Sequence, residues 1–273
     1  PGRPATDPSR PRPAMSSAQQ DNIIYEHPLN EKMRTLLRLE HLLLQVNHHL
    51  PDATVWSTRA TVSGLLDMLS VFSRADIKAD LIKELDRQRE KLAGIRRTPG
   101  IDSERLDQIL QRLEQATDGI YKVNGQIGQQ LRSNEFLKTI LQRSSIPGGS
   151  CAFDLPAYHY WLQLPYEKRQ TDLVVWMQTL EPILTAVTLI LSLVRGSSDP
   201  TEEIASGGLF QRSLDPQTPA QMVRVGLPRG APLYAEISGG KHRFNIRFLD
   251  PADMEHPAQT PEDVHFFLNT CIL

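Results

Sequence analysis

A chain of 273 residues with 40% hydrophobic and 23% charged content has the make-up of one large or two smaller globular domains with ample core. The formal net charge of −2 provides no global field for nucleic acid or an anionic membrane, so any basic site has to be local. Cys151 and Cys271 stand far apart and outside any metal-like spacing, which sets aside a disulfide framework and fits a reducing cytosol.

Residues 1–20 are rich in Pro, Arg, Ser and Gln and lack the apolar stretch of a signal peptide. Their composition predicts a disordered extension over residues 1–21, with Met15 a candidate start. Asn22-Ile23-Ile24-Tyr25-Glu26 is short and β-prone and is stopped by His27-Pro28, so residues 22–29 read as a strand that joins a sheet built elsewhere. Asn30 then caps a helix in which Met33, Leu36, Leu37, Leu43, Leu44 and Leu50 recur at helical spacing, and Pro51 ends it. Arg34, Arg38, His41 and Gln45 share its opposite, basic flank.

A second helix over about 59–72 presents Val62, Leu65, Leu66, Leu69 and Phe72, and Arg74-Ala75-Asp76 breaks it. A third runs to about residue 93 on Ile77, Leu81, Ile82, Leu85 and Leu92, with Lys83, Glu84, Arg87, Arg89 and Lys91 assigned to water. Thr98-Pro99-Gly100 is a turn by its chemistry, and Asp102 caps a fourth helix carrying Leu106, Ile109, Leu110 and Leu113. Three glycines weaken residues 119–128, and Ser133-Asn134-Glu135 opens a fifth helix. Amphipathic helices joined by short turns predict a bundle.

Ser145-Ile146-Pro147-Gly148-Gly149 is the strongest internal punctuation. After it come a short β-prone piece at 150–153, Asp154 as the cap of a helical turn over 155–164, and Pro165 at the first position of a longer helix. Pro182 should kink or restart that helix, and residues 183–194 are apolar nearly all round, hence buried. That tract is about a dozen residues, short of the roughly 20 that a bilayer needs. The texture then changes: 209–214, 221–227, 232–237, 242–248 and 264–271 are strand candidates divided by Gly and Pro. Helices first and strands after predict an α+β fold, a helical bundle domain over 30–196 followed by a mainly antiparallel β-sheet domain over 197–273.

No dinucleotide fingerprint, P-loop or Gly-x-Ser-x-Gly elbow occurs. His41 and His48 lie two helical turns apart, too far to share an ion with one turn between them, and no carboxylate completes a set. Cys151 near Asp154 and His159 reads as a structural thiol beside a turn. Nothing here supports catalysis, a metal or a cofactor. The positive signal is Lys241-His242-Arg243-Phe244-Asn245-Ile246-Arg247-Phe248, preceded by a Gly239-Gly240 turn. Alternation puts His242, Phe244, Ile246 and Phe248 on a core-facing row and Lys241, Arg243, Asn245 and Arg247 on a cationic one. Such a face reads by itself as an ordinary solvated surface or as a docking surface for an acidic segment of a partner; because acids outnumber bases beyond Gly196, gathering these cations on one face is selective and favours a protein or peptide partner. Phe244 and Phe248 sit on the wrong face to stack nucleic-acid bases.

At this point the chain resembles a family. The blocks are Tyr25-Glu26-His27-Pro28-Leu29-Asn30-Glu31-Lys32-Met33-Arg34-Thr35, Lys83-Glu84-Leu85-Asp86-Arg87-Gln88, Ser145-Ile146-Pro147-Gly148-Gly149 with Phe153-Asp154-Leu155-Pro156, and Ile237-Ser238-Gly239 through Arg243-Phe244 to Ile246-Arg247-Phe248. In this order they are similar to the ZapD family of FtsZ-ring-associated proteins of proteobacterial cell division. The resemblance implies a cytoplasmic, non-enzymatic homodimer acting at the division site, without cofactor, nucleic acid or membrane insertion. It also implies binding to the C-terminal tail of FtsZ, the tubulin-like GTPase, at a basic pocket between the two domains, and cross-linking of FtsZ filaments into bundles. Carried over, Arg243 and Arg247 match the strand motif and Arg74 the basic residue after helix two; strand geometry adds Lys241. His242 departs from a small polar residue in the family pattern. The rival class is a nucleic-acid-binding or enzymatic α+β protein.

Overall fold

The computed structural model describes residues 22–273 apart from residues 75, 97 and 254; the expected disordered extension over 1–21, with Met15, lies outside the described residues. The elements in chain order are β1 (Asn22–Pro28), α1 (Glu31–His49), α2 (Val55–Arg74), α3 (Ile77–Gly94), α4 (Ser103–Tyr121), α5 (Gln129–Arg132), α6 (Glu135–Ser144), α7 (Pro156–Leu162), α8 (Tyr166–Gln178) and α9 (Glu181–Arg195). Strands follow: β2 (Thr201–Ala205), β3 (Leu209–Ser213), β4 (Met222–Pro228), β5 (Tyr234–Gly239), β6 (Arg243–Asp250), β7 (Ala258–Gln259) and β8 (Val264–Cys271). The fold is α+β. Contacts divide the chain into two compact units, a helical one of Asn30–Ser197 with Leu273 and a β unit of Ser198–Ile272 with the strand that ends before Leu29.

In the helical unit the caps are local chemistry. Asn30 accepts a hydrogen bond from the Met33 amide at 2.9 Å, Asp102 from Arg105 at 3.0 Å and Asn134 from Leu137 at 3.2 Å, each satisfying one orphan donor of a first turn. The buried stripe of α1 is Met33, Leu36, Leu39 and Val46, whereas Leu44, expected inside, is 61% exposed. Steps of three and four from Met33 pass through Leu36, Leu39 and Leu43 to Val46 and leave Leu44 about 100° off the stripe. Against α1 runs α2, and Gly64 makes the approach close: a Cβ there would lie 2.7 Å from Val46 Cγ2.

Glu84 overturns its assignment to water. It is wholly buried, between Lys32 of α1, which forms an ion pair with it, and Arg87, whose Nε donates at 3.0 Å; Gln88 donates to it at 3.1 Å. Burial pushes its carboxyl up, but the hydrogen bonds from Arg87 and Lys32 outweigh that and hold it below the ordinary 4.5. Buried Arg169 of α8 plays a comparable role at the turn before α2, donating to the carbonyls of Leu164 at 3.1 Å and Ala53 at 2.9 Å.

The stretch 150–153 forms turns rather than the expected β piece, with the Cys151 amide bonded to the Gly148 carbonyl at 3.1 Å. Asp154 is not a cap. Leu155 occupies the cap position with Pro156 in the first turn, and Asp154 accepts the Cys151 thiol proton at 3.2 Å. Pro165 stands at the cap of α8, one place before the expected first position. Pro182 restarts the chain as expected: α8 and α9 are bent by 65° across a short break. The apolar α9 buries Ile183, Leu184, Val187, Ile190, Leu191 and Val194 against α1, α3 and α4. Among the described residues no single helix is long and apolar enough to cross a membrane.

The β unit has two antiparallel sheets rather than one, ordered β1-β4-β8-β2 and β3-β6-β5, with β7 on β6. Their inner faces share a core of Val223, Val225, Leu227, Phe266 and Leu268 from one sheet and Phe244, Ile246 and Phe248 from the other. The Phe266 ring bridges them, 5.0 Å from Phe248 and 5.2 Å from Phe210. As expected, the first strand joins this unit: β1 pairs with β4, placing Tyr25 opposite Val225 and Glu26 opposite Arg224. Two strands went unforeseen, the acidic edge strand β2 and the two-residue β7.

Candidate functional site

The alternation of β6 does what the sequence predicts from Arg243 onward. Phe244, Ile246 and Phe248 are wholly buried; Arg243 and Arg247 are exposed on the opposite face with Asn245 half-buried between them. Four residues of strand separate the two guanidinium-bearing positions by about 13 Å. Directly opposite residues share a face, so β3 contributes Leu209, Gln211 and Ser213 to this surface and β5 contributes Glu236 and Ser238.

The front of the motif differs from the expectation. Gly239 is the last residue of β5, and residues 240–243 form the turn, closed by the Gly240 amide on the Arg243 carbonyl at 3.0 Å. Lys241 and His242 therefore lie in the turn, both exposed, and His242 is not part of the inward row. Gly239 is needed for tightness: a Cβ there would lie 2.6 Å from Phe244 Cβ.

A carboxylate also enters the cationic face from the neighbouring strand. Glu236, registered opposite Arg247, accepts from its Nη1 at 3.2 Å, with both side chains about half exposed. Arg243 and Lys241 form no ion pair with any described residue. Elsewhere in the unit Arg212 is neutralised by Glu203 at 2.7 Å and Arg224 by Glu26 at 2.8 Å. Besides Arg229, exposed in the β4–β5 turn, the cations of this unit without an ion pair among the described residues are Lys241 and Arg243, at the 240–243 turn and the start of β6. Arg74 belongs to the helical unit, where it is the last residue of α2; its side chain lies outside the described structure.

Sequence reasoning missed three exposed aromatic side chains. Trp56, Phe153 and Tyr160 are 79%, 86% and 69% exposed in the helical unit. Arg59 lies 5.6 Å from the Trp56 ring and 5.1 Å from that of Tyr158, and it donates to the Ser150 carbonyl at 3.2 Å. Tyr158 is buried, and loss of solvent pushes its hydroxyl up to about 12 despite Arg59. The legible signal was Phe153, an aromatic in a glycine-bounded turn where a core position is hard to supply. No group of three or more His, Cys, Asp or Glu is placed to hold a metal ion among the described residues.

Known proteins resemble the chain throughout. The family model ZapD, described as cell division protein, matches residues 37–247. A cell division protein ZapD of Methylococcus capsulatus (strain Bath) is 42% identical over 254 residues, 93% of this chain and 100% of the relative. One from Enterobacter sp. (strain 638) is 41% identical over 92% of this chain and 99% of its own length. One from Escherichia coli O17:K52:H18 is 38% identical over 92% and 100%. The match thus runs through both the helical unit and the β unit, and this chain belongs to the ZapD family of cell division proteins.

Proposed function

We propose that this protein binds the C-terminal tail of FtsZ through the cationic face of β6 and cross-links FtsZ filaments into bundles that support ring assembly. The carrying observation is that Arg243 and Arg247 are exposed on one face, Arg243 without an ion pair among the described residues and Arg247 held only by the half-exposed Glu236, while Arg212 and Arg224 are paired with less exposed carboxylates. Arg forks suit carboxylates, and two of them about 13 Å apart suit an extended acidic segment. Lys241 adds charge from the turn, and Arg74 is carried as a further basic contact by its match to the family motif. The protein acts as a homodimer in the cytoplasm at mid-cell, without catalysis, cofactor, nucleic acid or membrane insertion. A single tail contact need not be strong, because two sites facing a polymer with many tails gain by effective concentration. A nucleic-acid reading would need a wider unpaired basic footprint than this unit carries.

The test is a titration with the FtsZ tail peptide together with co-pelleting on FtsZ filaments, tail-deleted filaments serving as control. Arg243→Glu with Arg247→Glu should abolish both signals while the thermal melt stays unchanged. Undiminished binding by that double variant, or binding to tail-deleted filaments, would sink the proposal.

A further inference from the structure

We infer that Trp56, Arg59 and Phe153 of the helical unit form a second docking site, one that takes a protein segment carrying a carboxylate beside an aromatic or aliphatic side chain. The site begins with local chemistry. Thr54 caps α2, its Oγ1 accepting from the Ser57 amide at 3.1 Å, so Trp56 lies in the first turn and Arg59, three positions on, shares its face. Arg59 then reaches across to the connection between α6 and α7, where its Nη1 donates to the Ser150 carbonyl at 3.2 Å and to the Ser150 hydroxyl at 3.3 Å. Its guanidinium lies 5.1 Å from the ring of Tyr158, which is buried and stacked on Trp161 at 5.9 Å. The arginine is therefore held in place before any partner arrives.

What Arg59 leaves unused selects the partner. Only its Nη1 has an acceptor among the described residues, and it forms no ion pair with any of them. The Nε–Nη2 edge stays open, and two parallel hydrogen bonds from such an edge suit a carboxylate. Trp56, 5.6 Å from the same guanidinium, is largely exposed. So is Phe153, whose Cα the chain keeps within about 11 Å of that of Ser150. An exposed tryptophan beside a pre-set arginine has the make-up of a binding hot spot for a protein segment. A nucleic acid would need a basic track along its phosphates. Here Asp52, bonded to Ser57, and Asp154, bonded to Cys151, bring negative charge to the same segments, so one carboxylate is matched and a run of phosphates is not. The inference does not rest on the proposed function, because the cationic face of β6 belongs to the β unit.

A random peptide display library selected on the full chain, with the Trp56→Ala chain in counter-selection, tests the site. Enriched sequences should place Asp or Glu next to Phe, Trp, Leu or Ile. Synthesised as blocked peptides, they should bind the unaltered protein about tenfold or more tighter than Trp56→Ala or Phe153→Ser, two exposed positions whose exchange should leave the melting temperature unchanged. Replacing the peptide's Asp with Asn should weaken binding to the unaltered protein about tenfold and leave binding to Arg59→Gln unaltered. That difference separates contact with the guanidinium from damage to its setting. Binding should also survive Arg243→Glu with Arg247→Glu. No enrichment over the counter-selection, enriched sequences without a carboxylate, or peptides lost by that β6 variant would overturn the inference. So would a labelled oligothymidine that binds through Trp56, or a sedimentation coefficient that Trp56→Ala lowers, since either gives the surface a different occupant.

Discussion

Arg243 and Arg247 share a face but not a setting. Arg247 is held by Glu236 across the β5–β6 register, while Arg243 has no anion among the described residues. A half-exposed pair contributes at most about 1 kcal/mol, so Glu236 competes weakly with an incoming carboxylate. Glu236→Gln should therefore tighten tail binding, by up to about fivefold, in an anisotropy titration; an unchanged or weaker affinity would show that Arg247 is not a contact. Glu84 presents the opposite case, a carboxylate with no exposure that depends on its cations. Removing Arg87 leaves the buried charge to Lys32 and Gln88 alone, whereas removing the charge leaves Lys32 and Arg87, each about 30% exposed, able to reach water. Arg87→Ala should cost about 3 kcal/mol in urea unfolding, and more than Glu84→Gln. Because the folded protein holds the Glu84 carboxyl below 4.5, its contribution is present above that value and disappears as pH falls through the depressed one. Acid unfolding of Glu84→Gln should accordingly be less steep below pH 4.5 than that of the parent.

Among the elements, glycines show where helix and strand propensities yield to space. Gly64→Ala would gain about 1 kcal/mol of helix propensity, but the new methyl meets the buried, β-branched Val46 at 2.7 Å. Overpacking of this kind costs about 1–3 kcal/mol, so the variant should melt lower than the parent. Gly207 and Gly208, with φ of 56° and 71°, form the tight connection from β2 to β3, and a Cβ on Gly208 would lie 2.5 Å from the Thr260 carbonyl. These positions also explain what the sequence conveys. Elements with strong periodicity, such as the side-chain-capped helices α3 and α4 and the strands β6 and β8, are legible because each has one dry face. β2 is not: two acids interrupt its alternation, since an edge strand needs to satisfy only one neighbour. Glu84 and Gln88 lie on the buried stripe of α3 with Ile77, Leu81 and Leu85, so spacing marks them as interior although residue type argues for water. The two exposed arginines of the candidate site follow from alternation alone; Glu236 does not, because it depends on a register between strands.

At the scale of the whole molecule, the proposed bundling requires charge recognition and duplication to act together. Exposed charge contacts are screened over roughly 8–10 Å near physiological salt, so tail-peptide affinity should fall as salt is raised through that range. Bundling, measured by light scattering, should fall more steeply than single-tail affinity, because it needs two such contacts at once. Equal salt slopes would argue against a bivalent cross-linker.

The β1–β4 pairing also sets an order of events during synthesis. Glu26 and Arg224, joined across that ladder, are 198 positions apart in the chain. At roughly 5–20 residues per second, a ribosome takes about 10–40 s to deliver β4 after β1 has been made. During that interval the first strand has no partner, while the residues of the helical unit emerge in between with mostly local contacts to form. The β unit, and with it the face bearing Arg243 and Arg247, is completed only when β8 arrives at the end of the chain. A nascent or C-terminally truncated chain therefore exposes β1 as an unpaired edge, which its short length and the terminating Pro28 help to keep from pairing elsewhere.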